Sequence, residues 1–276
     1  MSTPAGRRAA LELITSRGVS KRSACRHLGV SRRITHYELI QPHKDKVLAE
    51  RLISSSQQYP RFGYRRSAAW LKESLWRVRR LWRRLGLNLS RKRPRRRRCG
   101  SDMRLPGATR PNSVWSYDFV HDRLANNRAI RLLCVLDEHT RECLAIEVAR
   151  SLTSQDVILV LSRLMRLYGK PQFIRSDHGA EFTAAAVMRW LRDQQVGPVF
   201  IPPGKPWHNA FVESFNGKLR DECLNREWFR DVCEARILTE HWRHFYNYQR
   251  PHSALGYRPP AQARAQYANM EAQLTA

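Results

Sequence analysis

Between residues 114 and 149 three strand-like segments follow one another with only short polar breaks. Val114–His121 alternates in polarity, Ile130–Leu136 is nearly continuously apolar, and Cys143–Ala149 is again strand-like. Three such segments in a row predict an antiparallel meander. An amphipathic helix over Ser154–Tyr168 comes next, stopped at Gly169-Lys170-Pro171. A short strand Gln172–Ser176, a helix Thr183–Gln194 and a strand Pro198–Ile201 lead into a Pro/Gly-rich loop, 202–209. Helices from Phe211 to about Leu224 and over Val232–Tyr248 complete the pattern. The order β-β-β-α-β-α-β-α-α predicts an α/β layer built on one mixed sheet, three strands first.

Ahead of the sheet the chain changes character. Residues 1–100 hold 27 Lys+Arg against 5 Asp+Glu, a balance of +22, whereas the other 176 residues carry only +4 of the total +26. Arginine dominates, and its planar fork donates two parallel hydrogen bonds to phosphate. A block of this kind gains affinity for a polyanion by releasing counterions. That favours nucleic acid over a ribosomal-type or membrane-surface role.

A helix over 6–17 stops at Gly18. A second, Lys21 to Leu28, is capped by Ser20 and ended by Gly29, and a third runs from Arg32 towards Leu39 with Ser31 as its cap. Together they predict a helix-turn-helix whose last helix offers Arg32, Arg33, Thr35 and His36 to a major groove; a plain bundle with a solvated basic face is the alternative. Pro42 is expected to break the pattern. Helices over 44–56, 65–75 and about 76–85 follow, the turn before the second of them carrying Arg65 and Arg66. Trp76, Val78, Leu81 and Trp82 recur at helical spacing and read as core, with the intervening arginines facing phosphate. The run Arg91–Arg98, which includes Arg95, Arg96 and Arg97, cannot pack against itself and reads as a tether that orders on DNA. The expected organisation is a helix-turn-helix module (1–41), a second helical module (44–90), a basic linker (91–110), a catalytic core (111–225) and a C-terminal helix and tail (226–276).

The six cysteines form no Cys-x-x-Cys pair and no zinc-finger spacing. They read as reduced, buried small hydrophobes. With no apolar run of membrane length and no signal-peptide pattern, a cytoplasmic, nucleoid-associated chain without a membrane partner is expected.

Three acids stand at informative places. Asp118 lies inside the first strand, where a carboxylate is costly unless paired or bound to a cation. Asp177 follows the fourth strand directly, at the kind of strand end where α/β sites gather. Glu213 lies one turn into the helix after the Pro/Gly loop, with 35 residues separating it from Asp177. Hard carboxylate oxygens on a rigid scaffold suit Mg²⁺, and two such ions can serve an in-line phosphodiester displacement. Three ordinary capping or surface acids are the bland alternative.

The segments Trp115-Ser-Tyr-Asp118-Phe, Arg175-Ser-Asp177-His-Gly-Ala-Glu181-Phe and Pro203-Gly-Lys-Pro-Trp-His-Asn-Ala-Phe-Val-Glu213-Ser-Phe-Asn-Gly-Lys-Leu-Arg220 resemble the integrase core of retrovirus-integrase-type transposases. More narrowly, they resemble the second-reading-frame product of bacterial insertion sequences. The ending Tyr246-Asn-Tyr-Gln-Arg-Pro-His also matches that family, while the stretch Gly63 to Leu87 is shorter than its pattern. The resemblance implies a ribonuclease-H-like catalytic core preceded by small all-α modules. It makes Asp118, Asp177 and Glu213 metal ligands for two Mg²⁺ ions, with Mn²⁺ as a substitute. Arg220 and Lys218 are implied to grip DNA. His178, Glu181, Asn209 and Asn216 are candidates to support the ligands, a purely structural role staying open for each; His208 is a further such candidate that could instead touch DNA or cap the helix after it, and Trp207 is either a base-stacking platform or a loop anchor.

The implied reaction is cleavage at an element's ends followed by strand transfer. The implied partners are double-stranded DNA with terminal inverted repeats, target DNA, further copies of the chain in a synaptic complex, and the upstream-frame product, since no heptad segment is present here. Two rivals remain at this point: a DNA-binding-only modulator or inactive fragment, and an enzyme acting on RNA–DNA hybrids.

Overall fold

The computed structural model describes residues 4–33, 40–89, 107–176, 184–201 and 209–275. They divide into two compact units, 1–54 and 55–276. In the first, α1 (Pro4–Ser16) and α2 (Lys21–His27) pack through Leu11, Ala24 and Cys25, with Ile14, Leu28 and Val30 against them. Ser20 caps α2, its side chain accepting from the Ser23 backbone N–H at 3.3 Å. Gly29 follows at φ +60°, a left-handed position that costs glycine least. Arg32 and Arg33 are exposed, and the Arg33 N–H donates to Ser31 Oγ at 3.3 Å. The remainder of the expected third helix, 34–39, lies outside the described residues.

Helix α3 (Ile40–Gln58) runs through Pro42, where the sequence predicted a break. Proline is tolerated there because the first turn of a helix has no intrahelical partner for its N–H groups.

The second unit opens with α4 (Tyr64–Leu71) and α5 (Leu75–Arg84). Val78, Leu81 and Trp82 are buried as predicted. Trp76 is not core: it is 72% exposed, with the Arg79 guanidinium 5.5 Å from its ring. It lies two positions before Val78, about 200° away around the helix.

The sheet comprises β1 (Val114–Arg123), β2 (Ala129–Asp137), β3 (Cys143–Ala149), β4 (Phe173–Ser176) and β5 (Gly197–Phe200). Its strand order is β3-β2-β1-β4-β5. The first three strands pair antiparallel through short turns. Strands β4 and β5 add in parallel. Parallel pairing needs crossovers; these contain α6 (Ser154–Tyr168) and α7 (Ala185–Asp193). Three antiparallel strands followed by two parallel ones on the β1 edge is the ribonuclease-H-like arrangement.

Alternation along β1 sorts its side chains to two covered faces. Trp115 and Tyr117 join a core with Val157, Leu161, Leu164, Val187 and Leu191 of α6 and α7. Val120 joins a second core with Val212, Phe215 and Leu219 of α8 (Ala210–Glu222) and Ala235, Trp242 and Tyr246 of α9 (Val232–Tyr248).

Residues 59–70 join this second side through rings. Tyr59 stacks on Phe245 of α9 at 5.2 Å, and Trp70 meets Phe245 edge-on at 5.9 Å. The tail after α9 forms a further helix, α10 (Pro260–Thr275). Its Arg264 bonds Glu142 and lies 3.4 Å from Asp137. Asp137 is fully buried and accepts N–H bonds from Asn112, His139 and Thr140, fixing the β2–β3 turn.

Of the cysteines, Cys25, Cys134, Cys143 and Cys223 are buried, but Cys233 is exposed, contrary to expectation. It sits on the solvent-exposed side of α9, and Cys99 lies outside the described residues. No helix among the described residues is long and apolar enough to cross a membrane.

Two outcomes follow from this packing. Arg175 donates to both carboxylate oxygens of buried Glu138, at 2.9 and 2.8 Å. Arg175→Met leaves that carboxyl without its partner and is expected to cost about 3–5 kcal/mol in urea unfolding. His252, bonded to the Tyr246 hydroxyl at 3.1 Å, is pushed down from 6.5 to about 3 by burial and by Lys218, Arg250, Arg141 and Arg66. Between those pH values the unfolded chain binds a proton that the folded chain refuses, so stability falls as pH drops from 6.5 towards 3. The midpoint temperature of His252→Gln should decline less steeply over that window than that of the wild type.

Candidate active site

Asp118 sits in the middle of β1, half-buried, on the side covered by α8. Its Oδ1 accepts from the Phe119 N–H at 2.8 Å and its Oδ2 from Asn216 Nδ2 at 2.9 Å. Beside it in the strand, Ser116 Oγ is buried with no hydrogen-bond partner among the described residues. The carboxylate is felt across the sheet: the thiol of its cross-strand partner Cys134 is pushed up by burial first, then by Cys143 and Asp118.

Helix α8 reads as two adjacent stripes. Val212, Phe215 and Leu219 face the core. Glu213, Asn216 and Arg220, at positions i, i+3 and i+7, share a neighbouring face. Asn216 reaches Asp118, and Arg220 donates to the His121 carbonyl at 2.9 Å, so α8 runs alongside β1 in the same direction. At its start, the Arg141 guanidinium lies 3.7 Å from the Phe211 ring centroid. Glu213 is exposed in the first turn, one turn before Asn216, where the helix dipole favours an acid. Asn209 occupies the N-cap position, buried, making no side-chain cap bond.

The parallel register pairs Ser116 of β1 with Arg175 of β4. Ser176, the last described residue before Asp177, is one position past that pair, and Asp118 is two positions past it. Asp177, His178, Glu181, Trp207, His208 and Arg95 to Arg97 lie outside the described residues. Among the described residues no three His, Cys, Asp or Glu side chains form a metal cluster. The donor set that is described fits a hard cation: carboxylate oxygens with an amide holding one of them in place.

Lys218 stands apart from the Glu213 face. Its ammonium donates to Ser214 O and Oγ, both at 2.7 Å. Burial and the nearby Arg250, Arg66 and Arg141 push it down to about 8, with Glu222 opposing. Arg65 is exposed beside the Tyr64 ring, and Arg66 is half-buried over Phe62. Sequence reasoning missed the groups that surround Lys218, above all Arg141, Arg250 and His252. The Arg250-Pro-His252 signal was visible, but its chemistry depends on neighbours far along the chain.

Residues 108–206 and 194–260 match models of the integrase core domain. Over 259 residues the chain is 42% identical to the insertion element IS407 uncharacterized 31.7 kDa protein of Burkholderia multivorans, covering 90% of this chain and 92% of that one. It is 38% identical over 259 residues to the insertion element IS476 uncharacterized 39.2 kDa protein of Xanthomonas euvesicatoria, covering 92% and 75%. The solved catalytic core domain of HTLV-2 integrase, in complex with magnesium, aligns with a TM-score of 0.48 at 16% identity, over 57% of this chain and 99% of that one. With an integrase core matched over its sheet and flanking helices, and insertion-element relatives similar over nearly its whole length, the protein belongs to the bacterial insertion-element transposases of the DDE integrase superfamily.

Proposed function

We propose that this transposase cuts DNA at the ends of its element and joins the freed 3′ ends to another phosphodiester. In this reading Asp118, Asp177 and Glu213 hold two divalent ions, Mg²⁺ or in its place Mn²⁺. The observation that carries the reading is the Asn216–Asp118 hydrogen bond, which ties the helix bearing Glu213 to the strand bearing Asp118. The bound ions would neutralise charge at the reacting phosphorus and make the attacking oxygen easier to deprotonate.

The chain's own part is positional. Asn216 fixes one Asp118 oxygen, and Arg220 pins the far end of that face to β1. In the first step water adds to phosphorus, and the 3′ oxygen leaves with the bonding pair and takes up a proton. In the second, that 3′ hydroxyl loses its proton, forms a new P–O bond and expels another 3′ oxygen. The first step is a downhill hydrolysis and the second exchanges one P–O ester bond for another, so no nucleotide is consumed.

Two ends have to meet, which calls for a dimer or larger synapse of this chain. Double-stranded DNA with terminal inverted repeats, the target DNA and the upstream-frame product are the proposed partners, and the nucleoid is the proposed place of work. Exposed Arg32, Arg33 and Arg65, with the run containing Arg95, Arg96 and Arg97, supply the grip on phosphate. His178, Glu181, His208 and Asn209 remain supporting candidates around the ligands.

The direct test is cleavage and joining of labelled duplex carrying the element's ends, in Mg²⁺ or Mn²⁺. Glu213→Gln is expected to bind that duplex as well as the wild type and neither cut nor join it. If the wild type binds but does not cut, even with the upstream-frame product supplied, a binding-only role replaces this one. Asn216→Ala, with Asp118 left in place but unheld, should need roughly 10–100-fold more Mg²⁺ for half-maximal cleavage; an unchanged metal requirement would count against the positioning role.

A further inference from the structure

A second charged site lies on α8, around the helix from Glu213. An open groove of about 520 Å³ runs between α4 and α8, lined by Arg61, Arg66, Ser214, Lys218, Asp221 and Arg250 among others. Three distant stretches of sequence converge on it: the turn before α4, the catalytic helix, and the segment after α9. Its charges do not balance. Both lining carboxylates are already engaged, Asp221 by Arg61 at 3.3 Å and Glu222 by a two-pronged contact from Arg250 at 2.6 and 2.5 Å. Arg66 donates to the Arg61 carbonyl at 3.2 Å, and Lys218 to Ser214. Neither Arg66 nor Lys218 forms an ion pair among the described residues.

Donors are left over as well. Arg250 is 1% exposed, yet its Nη1 is buried with no hydrogen-bond partner among the described residues, and so is Arg66 Nε. Buried donors of charged groups are costly to leave unmet. Arg141 and neutral His252 stand close behind and add no negative charge. An open groove lined by surplus guanidinium and ammonium suits a phosphate oxygen.

We propose that this groove takes a backbone phosphate of bound DNA, held by Arg66, Lys218 and Arg250. The proposal rests on the reading of the chain as a DNA-processing enzyme, and adds a grip outside the metal site. Lys218 comes five positions after Glu213, about 7.5 Å further along the helix axis. A strand seated there would bridge the helical module to the catalytic helix.

The test uses the full-length chain, random-sequence duplex and chelator, so that cleavage plays no part. Arg66→Gln combined with Lys218→Gln is compared with the wild type across salt concentrations; Arg250 is left in place because it holds Glu222. One lost phosphate contact should lower the slope of log K against log salt by about 0.9. An unchanged slope in a variant with wild-type urea unfolding overturns the proposal.

A second readout needs no variant. Lys218, with its lowered pKa of about 8, should react with an amine-directed reagent at pH 8. Duplex should protect it, and inorganic phosphate at matched ionic strength should not. Equal protection by phosphate alone would make this a small-anion site and overturn the DNA assignment; no protection by duplex would overturn it too. Failure of the metal-site reading shows instead as absent cleavage with the salt slope difference and the protection intact.

Discussion

The constraint on which the rest depends is a carboxylate inside a sheet that is covered on both sides. Asp118 occupies a strand in which Tyr117 and Val120 are buried core residues, and its cross-strand partner Cys134 is buried too. Such a group survives only if the covering helix brings it a donor rather than a hydrocarbon. Asn216 does so, and its position in α8 then sets the rest of the helix. Val212, Phe215 and Leu219 must face the core, Glu213 falls one turn earlier on the Asp118 side, and Arg220 reaches the carbonyl at the end of β1. The second helical stretch and the tail are placed in turn by what they pack against, through Phe245 stacking on Tyr59 and Arg250 holding Glu222.

The sheet and its helices were readable because their signals are local. β3, α6 and α9 have the bounds the sequence pattern predicted, and the other sheet elements shift by a few residues at their ends. The cases that escaped are ones in which position or neighbours override pattern. Pro42 reads as a breaker but is harmless in a first turn. Trp76 reads as core by its spacing with Val78, Leu81 and Trp82, yet its angle around α5 turns it outward. Helix α10 lacks an apolar stripe, so periodicity could not reveal it. Its signals were Pro260 at the first helical position and a run of strong helix formers such as Ala, Gln, Glu and Met.

The candidate site divides in the same way. Asp118 and Glu213 were legible because an acid in an apolar strand, and one at a helix start after a Pro/Gly loop, are each unusual in local sequence. The cation cluster around Lys218 was not. Arg66, Arg141, Arg250 and His252 each look ordinary in their own segments, and only the tertiary fold puts them together. Buried Asp137 and Glu138 show the converse: acids in a core that serve structure, one closing a turn and the other meeting Arg175.

The bond between Asn216 and Asp118 spans 98 positions of sequence, that between Arg220 and His121 spans 99, and that between Asn247 and Cys143 spans 104. At a synthesis rate of roughly 5–20 residues per second, β1 leaves the ribosome some 5–20 seconds before the helix that completes its environment. During that interval a nascent chain already carries most of its basic, DNA-seeking surface but has no assembled reaction centre. The reaction centre is thus completed only once α8 has emerged, late in synthesis, a timing that is written into the topology.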